Sequence, residues 1–133
     1  MKTRVFFYGT LMAGFDRRRR AGIDDQLTYR GRGWVQGNLY DLGLFPAAVP
    51  ADEGRIWGEL YDTDGADQVL TALDAIEGYH HDDPDRSLYQ RNLVAVTLPE
   101  GEPVEAWVYF YNAPIGHGSR IPSGDYLEHF KSR

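Results

Sequence analysis

The chain has 133 residues, the size of one ordinary domain with a substantial hydrophobic core. Its 14 lysine and arginine residues are outnumbered by 20 aspartate and glutamate residues, which gives a net charge of −6 at pH 7. This balance disfavours a broad surface for nucleic acid or anionic membranes and favours a small-molecule partner. The lack of cysteine excludes thiol nucleophiles, disulfide bonds and cysteine-ligated zinc. We expect a single domain over residues 1–133.

No apolar stretch approaches the roughly 20 residues that a membrane-spanning helix needs. The first residues lead directly into a predicted strand without the apolar segment of a signal peptide. We therefore expect a cytoplasmic protein without a membrane partner. Nine tyrosines and three tryptophans are typical of a β-rich domain with an aromatic-lined cavity.

The first predicted strand is the apolar run that ends in the turn Tyr8-Gly9-Thr10-Leu11. A strand that ends in a glycine turn leaves backbone N–H groups unpaired, and such groups can hold an anion or an oxyanion. Most glycine-containing strand ends are simply turns. Two interpretations of the tetrapeptide therefore stay open: a binding loop and an ordinary turn.

Three further β segments are predicted before the main helix. Residues 29–42 mix glycines with apolar residues, which indicates a bent or bulged strand at the corner of a barrel. Residues 44–49 form a short edge strand or a loop, because Pro46 cannot donate a ladder hydrogen bond. Residues 55–61 alternate in the manner of a strand.

The main helix follows, because apolar residues from Ala66 to Ile76 recur at helical spacing. Residues 62–64 offer N-cap candidates, and Gly78 provides the C-terminal stop.

Two strands, 88–98 and 104–112, form a hairpin around a proline-flanked Glu-Gly turn. The remainder is predicted as loop over 116–124 and a short helical piece over 125–131. The pattern predicts an α+β fold, a small barrel whose strands surround one main helix, with a short helical piece near the end of the chain.

Glu77 is the most informative acidic residue. A projection at 100° per residue places it near Leu70 and Leu73, so it points inward, whereas Asp67 and Asp74 lie at the polar edge of the helix. Burial and the negative end of the helix dipole should both raise the pKa of Glu77 and make it a candidate general base. A final-turn glutamate can also reach out past the helix end into solvent.

Two charged clusters have simpler explanations. The run from His80 to Asp85 resembles a metal cluster, but consecutive residues converge poorly on one ion, and its composition indicates a solvated loop. Four consecutive arginines, Arg17 to Arg20, could contact phosphate, but flanking aspartates and the negative net charge favour a solvated face.

Two other segments carry candidate side chains, one around Ser119 and one on the predicted strand with Tyr89. Ser119 and the preceding Gly116-His117-Gly118 lack the strand-to-helix context of a nucleophile elbow, so Ser119 is predicted to be a loop hydroxyl. Tyr89 and Arg91 share one face of their strand, and either residue could reach a ligand or support the fold.

Five motifs together resemble the gamma-glutamylcyclotransferase-like family, including its gamma-glutamylamine cyclotransferase branch, from Val5 to about Asp125. In chain order the motifs are Tyr8-Gly9-Thr10-Leu11, Gly37-Asn38-Leu39-Tyr40 with Phe45-Pro46-Ala47, Gly58-Glu59-Leu60-Tyr61, Leu73-Asp74-Ala75-Ile76-Glu77-Gly78-Tyr79, and Tyr89-Gln90-Arg91. The resemblance implies a small mixed β-barrel, a substrate loop at residues 8–11 and a catalytic carboxylate at Glu77.

The resemblance also implies a reaction, in which the α-amine of a γ-glutamyl substrate attacks its own γ-carbonyl. This reaction releases 5-oxoproline and an amine or amino acid, and it needs no metal or cofactor. Tyr89 and Arg91 join residues 8–11 as candidate substrate-binding residues. The alternatives are a binding module that uses the same pocket without catalysis, and an RNA or phosphate binder that uses Arg17 to Arg20. The sequence makes no prediction of the oligomeric state or the natural leaving group.

Overall fold

The computed structural model shows an α+β protein with two sheets and two helices over the residues that it describes. The described residues are 3–9, 12, 22–43, 46–79, 82–83, 87–99, 101, 103–116 and 118–131. The strands are β1 (Thr3–Phe7), β2 (Thr28–Gln36), β3 (Asn38–Asp41), β4 (Pro46–Val49), β5 (Arg55–Thr63), β6 (Tyr89–Val96), β7 (Val104–Tyr111) and β8 (Ser119–Ile121). The helices are α1 (Ala66–Glu77) and α2 (Tyr126–Lys131), and a short 3-10 turn occupies Asp24–Gln26.

The larger sheet has the strand order β2-β5-β1-β7-β6, and β1 is its central strand. β1 runs parallel to β7 and antiparallel to β5, and the other pairs in this sheet are antiparallel. Val5, Phe6 and Phe7 are all buried, as expected for a strand with both faces covered. The central position of β1 places the turn after Phe7 next to the middle of the sheet.

The smaller sheet has the order β4-β3-β8, and its strands are antiparallel. Leu39, Ala48 and Ile121 from this sheet pack in the same hydrophobic cluster as Val5 and Phe6 of β1. The chain crosses from one sheet to the other at Gly37, whose φ of 152° would strain a residue with a side chain. The two sheets therefore share one core.

The predicted mixed α+β class is confirmed, but the prediction of a barrel is wrong. The two edges of the larger sheet meet at one bridge, where Trp34 and Thr97 exchange backbone hydrogen bonds of 3.0 and 2.9 Å. A single bridged pair does not make a continuous ladder between β2 and β6, so the sheet is not a closed barrel.

The bent strand predicted over residues 29–42 is divided between β2 and β3, with a register shift between Tyr29 and Gly31. The hairpin is confirmed as β6 and β7, and β4 is an edge strand of the smaller sheet. The loop predicted over residues 116–124 contains the short strand β8, which the sequence pattern did not indicate because only three residues pair with β3.

The N-cap expected at residues 62–64 is also wrong. Asp62 and Thr63 stay in β5, where Asp62 lies 3.6 Å from Arg4 Nε and 3.3 Å from Arg30 Nε. Helix α1 starts after Gly65, which makes no side-chain capping bond. Strand pairing and the two ion pairs thus hold Asp62 away from the helix terminus.

Candidate functional site

Glu77 is the last residue of α1 and faces the interior, as predicted. Glu77 is only 8% exposed, and it lies on the same buried face of α1 as Val69 and Leu73. Gly78 ends the helix in the left-handed conformation with φ of 64°, and the N–H of Tyr79 donates to the carbonyl oxygen of Asp74 at 2.9 Å. This C-terminal motif holds the backbone next to Glu77 in a defined geometry.

The predicted loop begins directly after β1. Tyr8 is buried, and its hydroxyl donates a 2.6 Å hydrogen bond to the backbone oxygen of Tyr109. The carbonyl oxygen of Gly9 accepts the N–H of Met12 at 3.0 Å, and Met12 is fully buried. Thr10 and Leu11, the other two predicted members of this loop, lie outside the described residues.

Gly9 is in close contact with Pro46, the first residue of β4. A Cβ atom at Gly9 would lie 2.6 Å from Pro46 Cγ, so the approach of these two segments requires a residue without a side chain. Tyr89 reaches the same proline, because its hydroxyl donates a 3.0 Å hydrogen bond to the backbone oxygen of Pro46. Pro46 thus brings the candidate binding residues Gly9 and Tyr89 to one place.

Tyr109 connects the loop to helix α1. Its backbone oxygen accepts the bond from Tyr8, and its own hydroxyl donates to Asp74 Oδ1 at 2.5 Å. Burial raises the pKa of the Tyr109 hydroxyl far above its ordinary value. The hydrogen bond to Asp74 and the negative charges of Asp74 and Glu77 raise this pKa further, whereas Arg91 opposes them. The Tyr109 hydroxyl therefore keeps its proton and donates it in the hydrogen bond to Asp74.

Arg91 lies beside the same carboxylate. Its Nη1 is 3.5 Å from Asp74 Oδ2, and its guanidinium lies 4.9 Å from the ring centre of Trp107 and 5.4 Å from that of Tyr79. The Nε atom of Arg91 is buried and has no hydrogen-bond partner in the described part of the chain. Arg91 therefore contacts α1 through Asp74.

The structure connects the predicted site residues that it describes. The connecting contacts are made by three other residues, Tyr109, Pro46 and Asp74, which the sequence did not indicate as site residues. Tyr109 links Tyr8 to α1, Pro46 links Gly9 to Tyr89, and Asp74 links Arg91 to α1. Asp74 was expected at the polar edge of the helix, yet its carboxylate turns towards the sheet because Tyr109 and Arg91 both bind it. Strand alternation does place Tyr109 on the face of Arg91, since the two are paired across β6 and β7.

Other candidate sites receive no support from the described residues. They contain no group of three histidine or acidic side chains arranged to hold a metal ion. Arg17 to Arg20, His80 and His81 lie outside the described residues, and so does His117 beside Ser119. Among the described helices, neither is long and apolar enough to span a membrane.

Comparisons with known proteins agree on one family. Residues 5–128 match the family model described as gamma-glutamyl cyclotransferase, AIG2-like. The chain is 31% identical over 126 residues to a protein of Methanocaldococcus jannaschii that is named provisionally as a gamma-glutamylcyclotransferase, and the match covers 94% of this chain and 96% of that one. The chain therefore belongs to the gamma-glutamyl cyclotransferase, AIG2-like family.

Two relatives have solved structures with a similar fold. The gamma-glutamylcyclotransferase family protein YtfP of Escherichia coli K12 is 37% identical over 93 residues, 70% of each chain. The solution structure of YtfP from Escherichia coli superposes with a TM-score of 0.65 over 96% of this chain and 99% of that one, at 30% identity. A crystal structure of a mouse AIG2-like protein superposes with a TM-score of 0.66 at 26% identity, over 85% of this chain and 80% of that one.

Proposed function

We propose that the chain is a metal-independent cyclotransferase that acts on small γ-glutamyl substrates. Its reaction releases 5-oxoproline and an amine or amino acid. The observation that carries the proposal is the buried Glu77 at the end of α1, connected through Asp74 and Tyr109 to the loop that contains Tyr8. Membership of the family supports the same reaction class.

The reaction is an intramolecular acyl transfer. The α-amine nitrogen forms a bond to the γ-carbonyl carbon, and the bond from that carbon to the leaving nitrogen breaks. Starting from the α-ammonium, the attacking nitrogen loses two protons through Glu77, and the leaving nitrogen gains two and departs as an ammonium, so protons balance and no water is consumed. A substrate held in the cyclising conformation gains an effective concentration of about 10⁵ M or more.

The chemical difficulty is the protonated α-amine. An α-ammonium with a pKa near 8 and an ordinary glutamate with a pKa near 4.3 differ by about 3.5 units, which corresponds to about 5 kcal/mol. Burial and the negative end of α1 both disfavour the charged form of Glu77, and they thereby strengthen it as a base. The same carboxylic acid then returns the proton to the departing amine.

The loop supplies the other half of the proposed site. Backbone N–H groups of residues 9–11 would bind the substrate α-carboxylate or the oxyanion that develops on the γ-carbonyl. Tyr89 and Arg91 complete the proposed set of binding residues, with Tyr89 beside the loop at Pro46 and Arg91 beside α1 at Asp74.

A panel of γ-glutamyl amines, γ-glutamyl dipeptides and γ-glutamyl isopeptides tests the proposal when 5-oxoproline is measured as the product. Release of 5-oxoproline from any of them by the purified chain is the expected result. Binding of these compounds without turnover would instead support a binding module that uses the same pocket. Association with RNA that weakens steeply with salt would support the arginine-run alternative. The expected cytoplasmic location and single-domain organisation remain predictions.

A further inference from the structure

Tyr109 touches both halves of the candidate site without lying in either of them. Tyr109 lies in β7 of the larger sheet, where its backbone oxygen accepts the hydroxyl of Tyr8 at 2.6 Å. Its side-chain hydroxyl donates to Asp74 Oδ1 of α1 at 2.5 Å. The backbone bond fixes the start of the loop, and the side-chain bond fixes the last turn of the helix.

Asp74 transmits the second contact to Glu77. The two acids are three residues apart on α1, so they are neighbours on one side of the helix. The carbonyl oxygen of Asp74 also accepts the N–H of Tyr79, in the turn that ends the helix just after Glu77. A shift of Asp74 would therefore move the backbone on both sides of Glu77.

Burial and a second contact with Arg91 stabilise the hydrogen bond between Tyr109 and Asp74. Tyr109 is 3% exposed, and its hydroxyl keeps its proton because burial and the neighbouring carboxylates disfavour the phenolate. Arg91 Nη1 occupies the other side of the Asp74 carboxylate at 3.5 Å from Oδ2. Asp74 is thus held from two directions, and a carboxylate held in this way has little freedom to leave its place.

We propose that Tyr109 is a positioning residue that sets the place of Glu77 relative to the loop. This inference rests on the proposed cyclotransferase function. Tyr109 acts through Asp74 on the acid and through its backbone on the loop. The change Tyr109→Phe removes only the hydroxyl, and it leaves the backbone bond to Tyr8 intact. Substrate binding by the loop should therefore persist in this variant, while the alignment of the acid is lost.

Steady-state kinetics with the most active γ-glutamyl substrate test the inference. Tyr109→Phe is expected to lower kcat by about tenfold to a hundredfold while KM changes by no more than about twofold, because a displaced acid slows proton transfer without weakening the binding loop. Asp74→Ala should give a similar loss. Adding Tyr109→Phe to Asp74→Ala should cost little more, because Asp74→Ala has already removed the acceptor of the Tyr109 hydroxyl.

The matched control is Tyr61→Phe. Tyr61 is also a buried tyrosine, and its hydroxyl donates to Glu59 Oε1 at 2.8 Å on the same sheet. Its removal imposes a comparable loss of a tyrosine–carboxylate bond, and kcat should stay within about twofold of the unaltered chain because both partners of this bond lie in β5. Thermal unfolding of all variants confirms that folded proteins are compared.

The outcomes separate the two proposals. If the unaltered chain turns over no γ-glutamyl substrate, the proposed function fails and the positioning role fails with it. If the unaltered chain is active but Tyr109→Phe keeps full kcat, or loses activity through KM alone, only the positioning role is overturned. If Tyr109→Phe does not fold, Asp74→Ala is compared with Arg91→Lys, because Asp74 also pairs with Arg91. A selective loss of kcat in Asp74→Ala alone supports the inference, and full kcat in Asp74→Ala or an equal loss in Arg91→Lys overturns it.

Discussion

Tyr89 donates a hydrogen bond to the backbone oxygen of Pro46, which lies 43 residues earlier in the chain. The ring of Pro46 in turn packs against Gly9, so one proline ties β6 to the candidate binding loop. The contact explains why a glycine and a tyrosine far apart in sequence both lie against Pro46. Substitutions at this contact therefore test the role of the loop while Glu77 stays unchanged.

Gly9→Ala should displace the loop from Pro46. The added Cβ would lie 2.6 Å from Pro46 Cγ, and the proline ring cannot rotate away. We expect a loss of about 1–3 kcal/mol in the free energy of unfolding and a higher KM, because overpacking shifts the backbone. Urea unfolding and steady-state kinetics measure the two effects. Pro46→Ala in the same chain removes the clash and should restore both; failure of this rescue would contradict the contact-based explanation.

Tyr89→Phe should weaken the same junction without adding bulk. The buried hydroxyl bond to Pro46 is worth about 1 kcal/mol, and its loss leaves a carbonyl oxygen without that donor. We expect a decrease of that size in the free energy of unfolding, together with a higher KM and a kcat that is little changed. A fall in kcat at constant KM would place Tyr89 in the chemical step instead.

Glu77→Gln should abolish the release of 5-oxoproline. The amide cannot accept and return a proton, and the loss of a general acid–base is expected to cost about 10² to 10⁴ in rate. Binding of 5-oxoproline or substrate, measured by calorimetry, should survive because the loop is intact. Thermal unfolding at pH 7 shows whether the variant keeps the stability of the unaltered chain. Full activity would refute the role of Glu77, and a large loss of stability would indicate a structural role.

Arg91→Lys should show how much the planar guanidinium contributes to the stability of the fold. Lysine keeps the positive charge near Asp74 but cannot stack between Tyr79 and Trp107 as arginine does. We expect the free energy of unfolding to fall by about 1 kcal/mol, the usual size of such a stacking contact. Chemical denaturation at two salt concentrations measures it. A loss that appears only in low salt would assign the effect to charge rather than to stacking.

The free energy of unfolding should fall at alkaline pH because of the raised pKa of Tyr109. Burial raises the pKa of Tyr109 in the folded chain, so the folded state retains a proton that the unfolded state releases. This contribution to stability is complete below about pH 10 and is lost above it, at no more than about 1.4 kcal/mol per pH unit. Urea unfolding between pH 9 and 11 should show a steeper decline in the unaltered chain than in Tyr109→Phe. Equal slopes would contradict the raised pKa.

The sequence by itself determined the local elements and the direction of one important side chain. Helical spacing from Ala66 to Ile76 located α1 and placed Glu77 on its buried side, because an amphipathic helix has only one face to bury. Alternation and turn chemistry located β5 and the hairpin of β6 and β7, because these signals act between residues near in sequence. The ordered motifs were sufficient to identify the family.

Only the tertiary structure decided how these parts meet. The pairing of Trp34 with Thr97, which leaves the sheet short of a closed barrel, joins residues 63 positions apart that no local pattern relates. Asp74 turned from a polar edge towards Tyr109, because a hydrogen bond across the core outweighed its expected solvation. The turn at Tyr8 and the acid at Glu77 were each predicted from the sequence, but the hydrogen bonds by which Tyr109 connects them depend on long-range packing, because its partners lie 101 and 35 residues away.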